Sequence, residues 1–141
     1  MNIERVLIEK SIELYKNVLD EYNDPNDWNQ YGEPPLKLVL ECYEATRRTE
    51  HFYKKTLKKC WNYEGNKLTD LDVDLVVKAD IPPRSGMFYT IASARFYWDI
   101  EKKKAFIDMV YGPRFARGYS FDIKEEDGSI YLDNQDILWV S

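Results

Sequence analysis

The spacing of apolar residues changes once along the chain, near residue 68. In residues 3–22 the apolar side chains recur every three or four positions, which is typical of an amphipathic helix. In residues 68–79 they alternate with polar side chains, which is typical of a strand with one buried face. This order predicts an α+β fold in which N-terminal helices pack on a curved antiparallel β-sheet meander.

The 141 residues are enough for one domain. We expect a single domain over 1–141, with a helical part in 1–63 and an antiparallel sheet in 68–141. Pro34 and Pro35 are placed to begin a second helix, because proline fits a first helical turn, and a third helix is predicted to end at residues 63–66. The strands predicted after 68–79 are residues 87–100, 105–111, 118–123 and 129–132, with a short strand or packed tail at 137–140.

Charge and composition exclude several classes of partner. The formal net charge is −5 and the isoelectric point is about 5.0, which disfavours nucleic acid and an anionic membrane as the main partner. No apolar run approaches the roughly eighteen residues of a membrane-spanning helix, and the first residues lack the pattern of a secretion signal. We therefore expect a cytoplasmic protein with neither partner.

Residues that could carry catalysis or hold a metal are few. His51 is the only histidine, and its basic neighbours oppose its protonation, so we interpret it as a solvated helix residue. Cys42 and Cys60 are interpreted as buried free thiols, with a disulfide between two helices left open. Together with one histidine they fall short of a structural zinc site. No glycine-rich phosphate loop is present, so we predict no catalytic residue, no metal and no cofactor.

Three aspartates alternate along the strand predicted near residue 70. Asp70, Asp72 and Asp74 would lie on one face of that strand, roughly 6.6–6.8 Å apart in turn. Such a row can be a solvated face that discourages edge pairing, a contact for a basic protein, or a site for a hard cation. We predict the three residues as partner contacts.

Aromatic residues make up 15% of the chain, and their surplus lies between Phe88 and Tyr119, interleaved with arginines. One interpretation is a docking surface formed by Arg114, Arg117 and Tyr119, because tyrosine and arginine are enriched where binding energy concentrates. A wide loop whose rings close one end of a barrel explains the same stretch. A second interpretation is a cavity, with its lining predicted as Tyr89, Arg95, Trp98 and Tyr111.

Short motifs near the C-terminus carry a resemblance to known proteins. They are Tyr111-Gly112-Pro113, Arg117-Gly118-Tyr119 and Leu138-Trp139-Val140-Ser141. With the predicted order of elements, they resemble the nuclear-transport-factor-like fold, a cystatin-like α+β cone, and small bacterial immunity proteins assigned to it. The resemblance implies a cytosolic antidote that binds and neutralises a cognate toxin domain, often a nuclease.

These observations favour a non-enzymatic binding protein with a basic partner. Residues 13–35 and 120–141 each carry a formal charge of −5, and such segments steer association with a basic surface. The alternative is a small-molecule binder, or an isomerase- or dehydratase-like enzyme of the same fold, using the ring-lined cavity. A homodimer through an aromatic sheet face is also left open.

Overall fold

The computed structural model describes residues 2–22, 24–28, 32–43, 57–72 and 87–141. The elements in these ranges are α1 Ile3–Glu21, a short 3-10 turn Pro25–Asp27, β1 Lys37–Tyr43, β2 Leu57–Glu64, β3 Lys67–Leu71, β4 Ile91–Asp99, β5 Lys104–Gly112, β6 Phe115–Glu126 and β7 Ser129–Val140. The seven strands form one sheet in the order β3-β2-β1-β4-β5-β6-β7. The predicted α+β class is confirmed.

Helix α1 forms where the sequence predicted it. The Asn2 side chain accepts a hydrogen bond from the Glu4 N–H at 2.9 Å and so caps the first turn. The buried side chains recur along one stripe and are Ile3, Glu4, Leu7, Ile8, Ser11, Leu14, Tyr15 and Val18. This stripe packs on one side of the sheet, where α1 contacts β1, β5 and β7. We call this the helix-facing side and the opposite one the outer side.

The core lies between α1 and the central strands. On β4 the fully buried residues Ala92, Ala94 and Phe96 point to the helix-facing side, and β1 and β5 present the same alternation. Two tyrosine hydroxyls end in the core and are bonded there. Tyr111 donates to the Leu14 carbonyl at 3.3 Å, and Tyr15 donates to the Pro35 carbonyl at 2.6 Å. Both bonds tie the helix to the sheet and satisfy hydroxyls that would otherwise be costly to bury.

A buried carboxylate fixes the start of α1 against the sheet. The Glu4 side chain lies within 3.5 Å of the Lys58 ammonium and 3.3 Å of the Lys59 ammonium. It also accepts a hydrogen bond from the Cys42 thiol at 3.8 Å. The residue is only 7% exposed, so these partners keep its charge from being buried alone.

The sheet is antiparallel except at its centre. Strand β1 pairs with β2 in antiparallel and with β4 in parallel orientation, with Leu40 opposite Ala94. All other neighbouring strands pair antiparallel. Hydrophobic periodicity locates strands but does not say which strands become neighbours, so this one parallel junction was outside the prediction.

The second and third predicted helices are wrong. Residues 37–43 and 57–64 are the strands β1 and β2, so α1 is the one long helix among the described residues of the predicted helical part in 1–63. Strand β1 is buried on both sides because it is central, with Leu38, Val39 and Leu40 all below 9% exposure. A strand buried on both sides loses its alternation and cannot be distinguished from a buried helix by spacing.

Two tight turns have left-handed backbone geometry. Gly65 and Asn66 have φ of 56° and 67° and join β2 to β3, where the sequence predicted the end of a helix. Asp127 and Gly128 have φ of 51° and 79° and join β6 to β7. Positive φ at both central residues is the two-residue hairpin turn that twisted strands require. The second of these turns lies in the gap predicted between the strands 118–123 and 129–132.

The two cysteines lie on opposite sides of the sheet. Cys60 is directly opposite Glu41, whereas Cys42 is the next residue along β1 and points to the helix-facing core. Successive side chains of a strand point to opposite faces, so a disulfide between them is excluded geometrically, and both are free thiols. The prediction of buried free thiols is confirmed, although they lie on strands rather than helices.

Neither thiol is expected to react with iodoacetamide while the protein is folded. Burial raises the pKa of Cys42 and of Cys60 to about 12, and the carboxylates of Glu4 and Glu41 respectively add to it. Because the thiolate is the nucleophile, alkylation at about pH 8 should be at least ~100-fold slower than in urea. Mass spectrometry of timed samples measures both rates. Labelling of either cysteine in the folded protein at the denatured rate would contradict this placement.

Candidate functional site

The predicted acidic row lies at one edge of the sheet. Asp70 is on the edge strand β3, Asp72 directly follows it, and both are exposed. Asp74 lies outside the described residues, as do His51 and most of the strand predicted over 68–79. Opposite Asp70 on β2 is Trp61, which stacks on Phe96 at 6.0 Å. The acidic edge therefore borders the core through its neighbouring strand.

The aromatic surplus between residues 88 and 119 is largely core. Six of these rings are less than 9% exposed: Phe88, Phe96, Tyr97, Tyr111, Phe115 and Tyr119. Several contact one another at the C-terminal end of α1, with Tyr22 edge-on to Phe88 at 5.3 Å and Tyr111 edge-on to Phe115 at 4.9 Å. Tyr119 is thus inside the protein, and its ring is not presented to a partner as predicted.

Of the two arginines predicted beside Tyr119, Arg114 lies in a tight connection rather than a wide loop, and Arg117 lies on strand β6. Strand β5 ends at Gly112 and β6 begins at Phe115. Arg114 is exposed in this turn. The Arg117 guanidinium lies 5.1 Å from the centre of the Phe115 ring, a cation–π distance. Arg117 therefore covers the end of the core, and Arg114 is the more accessible of the two.

The four residues predicted to line a cavity are divided between the two sides of the sheet. Tyr111 is fully buried on the helix-facing side, and Trp98 packs against the same core. Arg95 points to the outer side, where its Nε lies 3.1 Å from the Glu41 carboxylate. Tyr89 is half-buried before β4, and its N–H donates to the Tyr111 carbonyl at 2.8 Å. The structure does not bring the four side chains together.

The outer side instead holds a row of polar groups across the central strands. Arg95 is directly opposite Asp108 on β5 and Glu41 on β1, so an arginine lies between two carboxylates. The Tyr43 hydroxyl donates to the same Glu41 oxygen at 3.0 Å. Burial, and next the Glu41 charge, raise the pKa of Tyr43 above its usual value. This row is internally paired and stabilises the centre of the sheet.

One cavity of about 370 Å³ lies between α1 and the β2–β3 hairpin. Its lining includes the rings of Tyr15 and Tyr63, the apolar side chains of Leu19 and Leu36, and the charged Asp20. Lys16 covers the Tyr63 ring at 5.7 Å. No sequence pattern indicated this cavity, because most of its lining lies in 1–63, which was predicted as helices rather than as a helix facing a hairpin.

Exposed carboxylates without an ion-pair partner among the described residues are concentrated at the β7 end of the sheet. Along β6 and β7 five carboxylates are exposed and have no ion-pair partner among the described residues: Glu125, Glu126, Asp127, Asp133 and Asp136. We call residues 122–136 the acidic hairpin. Next to it, β7 exposes the apolar side chains of Ile137, at 54%, Leu138 and Val140, at 68%. We call these three residues the free edge.

A local network shapes the acidic hairpin where β7 bulges. The Asp122 carboxylate accepts hydrogen bonds from Lys104 and, at 2.6 Å, from Asn134. These two bonds, that from Lys104 first, lower the pKa of Asp122 below its usual value. Asn134 has a φ of 53° and lies at the irregularity between β6 and β7. The bulge thus places Asn134 against Asp122 at the protein surface, and Asp133 and Asp136 are exposed beside it.

Among the described residues, no group of three histidine, cysteine or acidic side chains could hold a metal ion. In the same residues, the helix is too polar to cross a membrane. Comparisons of the chain with protein-family models, with curated proteins and with solved structures found no match. The resemblance to the nuclear-transport-factor-like fold and to immunity proteins stays a prediction from the sequence.

Proposed function

We propose that this chain is a non-enzymatic binding protein that masks a basic protein partner, in the specific form of an immunity protein that neutralises a toxin domain. The observation that carries the proposal is the acidic hairpin beside the apolar free edge. Exposed carboxylates without lysine or arginine partners supply long-range attraction, and the apolar side chains supply the desolvated contact that holds a complex.

The charge of the hairpin is unusually one-sided. Lys124 is the only basic residue in 120–141, against six acidic ones. Like charges in one segment repel each other in the free protein, and a basic partner relieves that repulsion. The same field disfavours nucleic acid as a ligand of this surface.

Burial of the aromatic rings supports binding over catalysis. The residues that the sequence predicted as a cavity lining are used in the core, as Tyr111 is, or paired away from it, as Arg95 is with Glu41. The predicted lining therefore does not form the open, ring-lined space around a carboxylate that the isomerase- or dehydratase-like alternative needs.

The test is complex formation with the protein encoded by the adjoining gene, measured by isothermal titration calorimetry. We expect binding that weakens at least ~10-fold between about 50 and 300 mM salt. The double variant Asp133→Lys/Asp136→Lys should weaken binding by ~100-fold, because it reverses two charges at the contact. It should equally abolish protection of cells that express the toxin domain.

The matched control is Asp70→Lys/Asp72→Lys, which changes the net charge equally at the opposite edge of the sheet. Its affinity should stay within about threefold, because screening limits the effect of distant charges. Absence of any complex, or binding insensitive to salt, would contradict the proposed function. If only the Asp70→Lys/Asp72→Lys variant loses binding, the protein still binds a basic partner, but the contact lies at Asp70 and Asp72 and not at the acidic hairpin.

A small-ligand function is the second candidate, favoured by the cavity between α1 and the β2–β3 hairpin. A cavity of about 370 Å³ with two rings and a carboxylate is in the range of small-molecule sites. Leu19→Trp should fill it. Unchanged partner binding by that variant would show that the cavity has no part in the proposed function.

A further inference from the structure

Strand β7 ends the sheet, and its outer edge is open in the described part of the chain. Its only neighbouring strand there is β6. The exposed residues Ile137, Leu138 and Val140 lie at the C-terminal end of this strand. Strand edges of this kind present unpaired N–H and C=O groups, which can pair with another strand.

The hydrogen-bond pattern shows which groups face outward. Ser141 and Ala116 exchange both backbone bonds, at 2.9 and 3.3 Å. In an antiparallel pair such residues alternate with pairs that point away from each other, so the N–H and C=O of Val140, opposite Arg117, point away from β6. On the other side of β6, the Ile123 N–H donates to the carbonyl of Lys103, the residue before β5, at 2.8 Å. This bond agrees with odd-numbered residues of β6 directing their backbone groups to β5 and even-numbered ones to β7.

The register of the two strands shifts between Gly118 and Tyr119, so at Ile137 the alternation is followed along β6: Ile137 lies opposite Tyr119, an odd-numbered residue whose backbone groups point to β5. The N–H and C=O of Ile137 also point outward, so the free edge offers two sets of backbone groups with exposed apolar side chains. Those side chains lie on the helix-facing side with Tyr119. Asp136, opposite Ser120, and Asp133, opposite Asp122, lie on the outer side. The edge is therefore apolar on the helix-facing side, whereas the outer side carries Asp133, Asp136 and the partly buried Trp139.

The charge of this edge selects its occupant. Residues 129–141 contain two aspartates and no lysine or arginine. Pairing two copies of β7 would bring four carboxylates to one interface, and like charges on paired strands are destabilising. A strand with lysine or arginine on one side would instead be attracted, because its positive charges would face the carboxylates of Asp133 and Asp136.

We infer that the free edge of β7 binds an extended basic segment of the partner as an eighth strand, with apolar side chains toward the helix-facing side and lysine or arginine toward the outer side. This inference rests on the proposed function and specifies how the partner attaches. Backbone pairing supplies affinity in such strand addition, and the alternating side chains supply selectivity.

The direct test uses a synthetic peptide of about ten residues that alternates valine and lysine, which spans the edge. Nuclear magnetic resonance of the labelled protein follows hydrogen exchange of the Ile137 and Val140 amides. Both should exchange at least ~10-fold more slowly with peptide bound. A peptide with glutamate in place of lysine should give no protection. Equal protection by both peptides, or none by either, would overturn the inference.

Two variants separate backbone pairing from side-chain contact. Val140→Pro removes an outward N–H that makes no bond to β6, whereas Val140→Thr keeps it. Peptide affinity should fall at least ~10-fold in Val140→Pro and stay within about threefold in Val140→Thr. If circular dichroism shows that Val140→Pro does not fold, the inference is judged by the exchange rates of the Ile137 and Val140 amides in the unmodified protein, with and without peptide.

The complex with the adjoining gene's protein distinguishes the two levels of the proposal. If it forms, depends on Asp133 and Asp136, and leaves the Ile137 and Val140 amides unprotected, the function stands and strand addition is wrong. If it does not form although the peptide protects both amides, the edge is a strand-binding site and the proposed function is wrong. A concentration-dependent dimer that protects these amides without peptide would replace the partner by a second copy.

Discussion

Alanine at Gly112 is expected to lower the free energy of unfolding by about 3 kcal/mol, a large loss for a single methyl group. A Cβ at this position would overlap the Met87 carbonyl oxygen and lie 3.0 Å from the Met87 carbonyl carbon and 3.1 Å from the Phe88 Cα. All three are backbone atoms. No rotation of a side chain can make room, so the segment before β4 must move.

That segment is held from both sides. The Tyr89 N–H donates to the Tyr111 carbonyl at 2.8 Å, and Phe88, only 1% exposed, contacts Tyr22 and Phe115. Moving the Met87 carbonyl would break this bond or open space around a core ring. Urea denaturation of the purified variant measures the loss. A loss below about 1 kcal/mol would show that the segment can retreat.

Gly118→Ala is the matched comparison. A Cβ there would overlap the indole of Trp139, which is a side chain and can be removed. The double variant Gly118→Ala/Trp139→Ala should therefore lose less than the two single variants together, because the alanine no longer meets the ring. No single truncation should rescue Gly112→Ala in this way. If truncating a neighbouring side chain restored the stability of Gly112→Ala as much as Trp139→Ala restores that of Gly118→Ala, the obstruction at Gly112 would not come from the backbone.

Local patterns predicted the parts of the fold that have one buried face. Helix α1 has such a face, with Leu7, Leu14 and Val18 on its stripe. The strands β5 and β6 alternate clearly enough to be located, and the Asp127-Gly128 turn marks their continuation into β7. In each case the sequence period or the turn residues are local properties, and nothing distant is needed to interpret them.

The central strands could not be predicted in the same way. Leu38, Leu40 and Cys42 pack against the helix, while Val39 and Tyr43 are buried on the outer side. Burial on both sides erases the period of two and leaves spacings that a helix would also satisfy. The burial itself comes from strands distant in sequence, so it is a tertiary effect that spacing cannot report.

The candidate site was predicted in its charge but not in its position. The sequence identified 120–141 as strongly acidic, yet the contacts predicted from it were two other groups: Asp70, Asp72 and Asp74, and Arg114, Arg117 and Tyr119. Which strand ends a sheet depends on pairing, and pairing places both β3 and β7 at edges. The rings near Tyr119 resembled a docking surface because arginines separate them, whereas Arg117 covers a core ring at 5.1 Å.

The protein is expected to lose stability steeply in alkaline solution, starting near pH 9. Five buried groups share one physical cause, because burial disfavours their charged forms and raises their pKa values in the folded state: Cys42, Cys60, Tyr15, Tyr43 and Tyr111. For Cys42, Cys60 and Tyr15 the folded pKa is about 12. The unfolded chain releases these protons earlier, at ordinary thiol and phenol values of 9.0 and 10.0.

The sign follows from which state holds the protons. Below the unfolded pKa values both states are protonated, and the stability is complete. As the pH rises between about 9 and 12, the unfolded chain releases protons that the folded chain retains. The unfolded state is therefore stabilised relative to the folded state, and the free energy of unfolding falls. Each retained proton contributes a slope of about 1.4 kcal/mol per pH unit, and the two thiols together should cost roughly 3 kcal/mol at about pH 10.

Urea denaturation from about pH 7 to 11 with reductant present measures this slope. The control is Cys42→Ala/Cys60→Ala, which removes both thiol protons and keeps the tyrosines and lysines. It should be less stable at neutral pH because two buried side chains are shortened, and its stability should fall by about 2.7 kcal/mol per pH unit less between pH 10 and 11. Parallel curves for the two proteins would mean that the thiols titrate alike in both states, and would contradict their burial on opposite sides of the sheet.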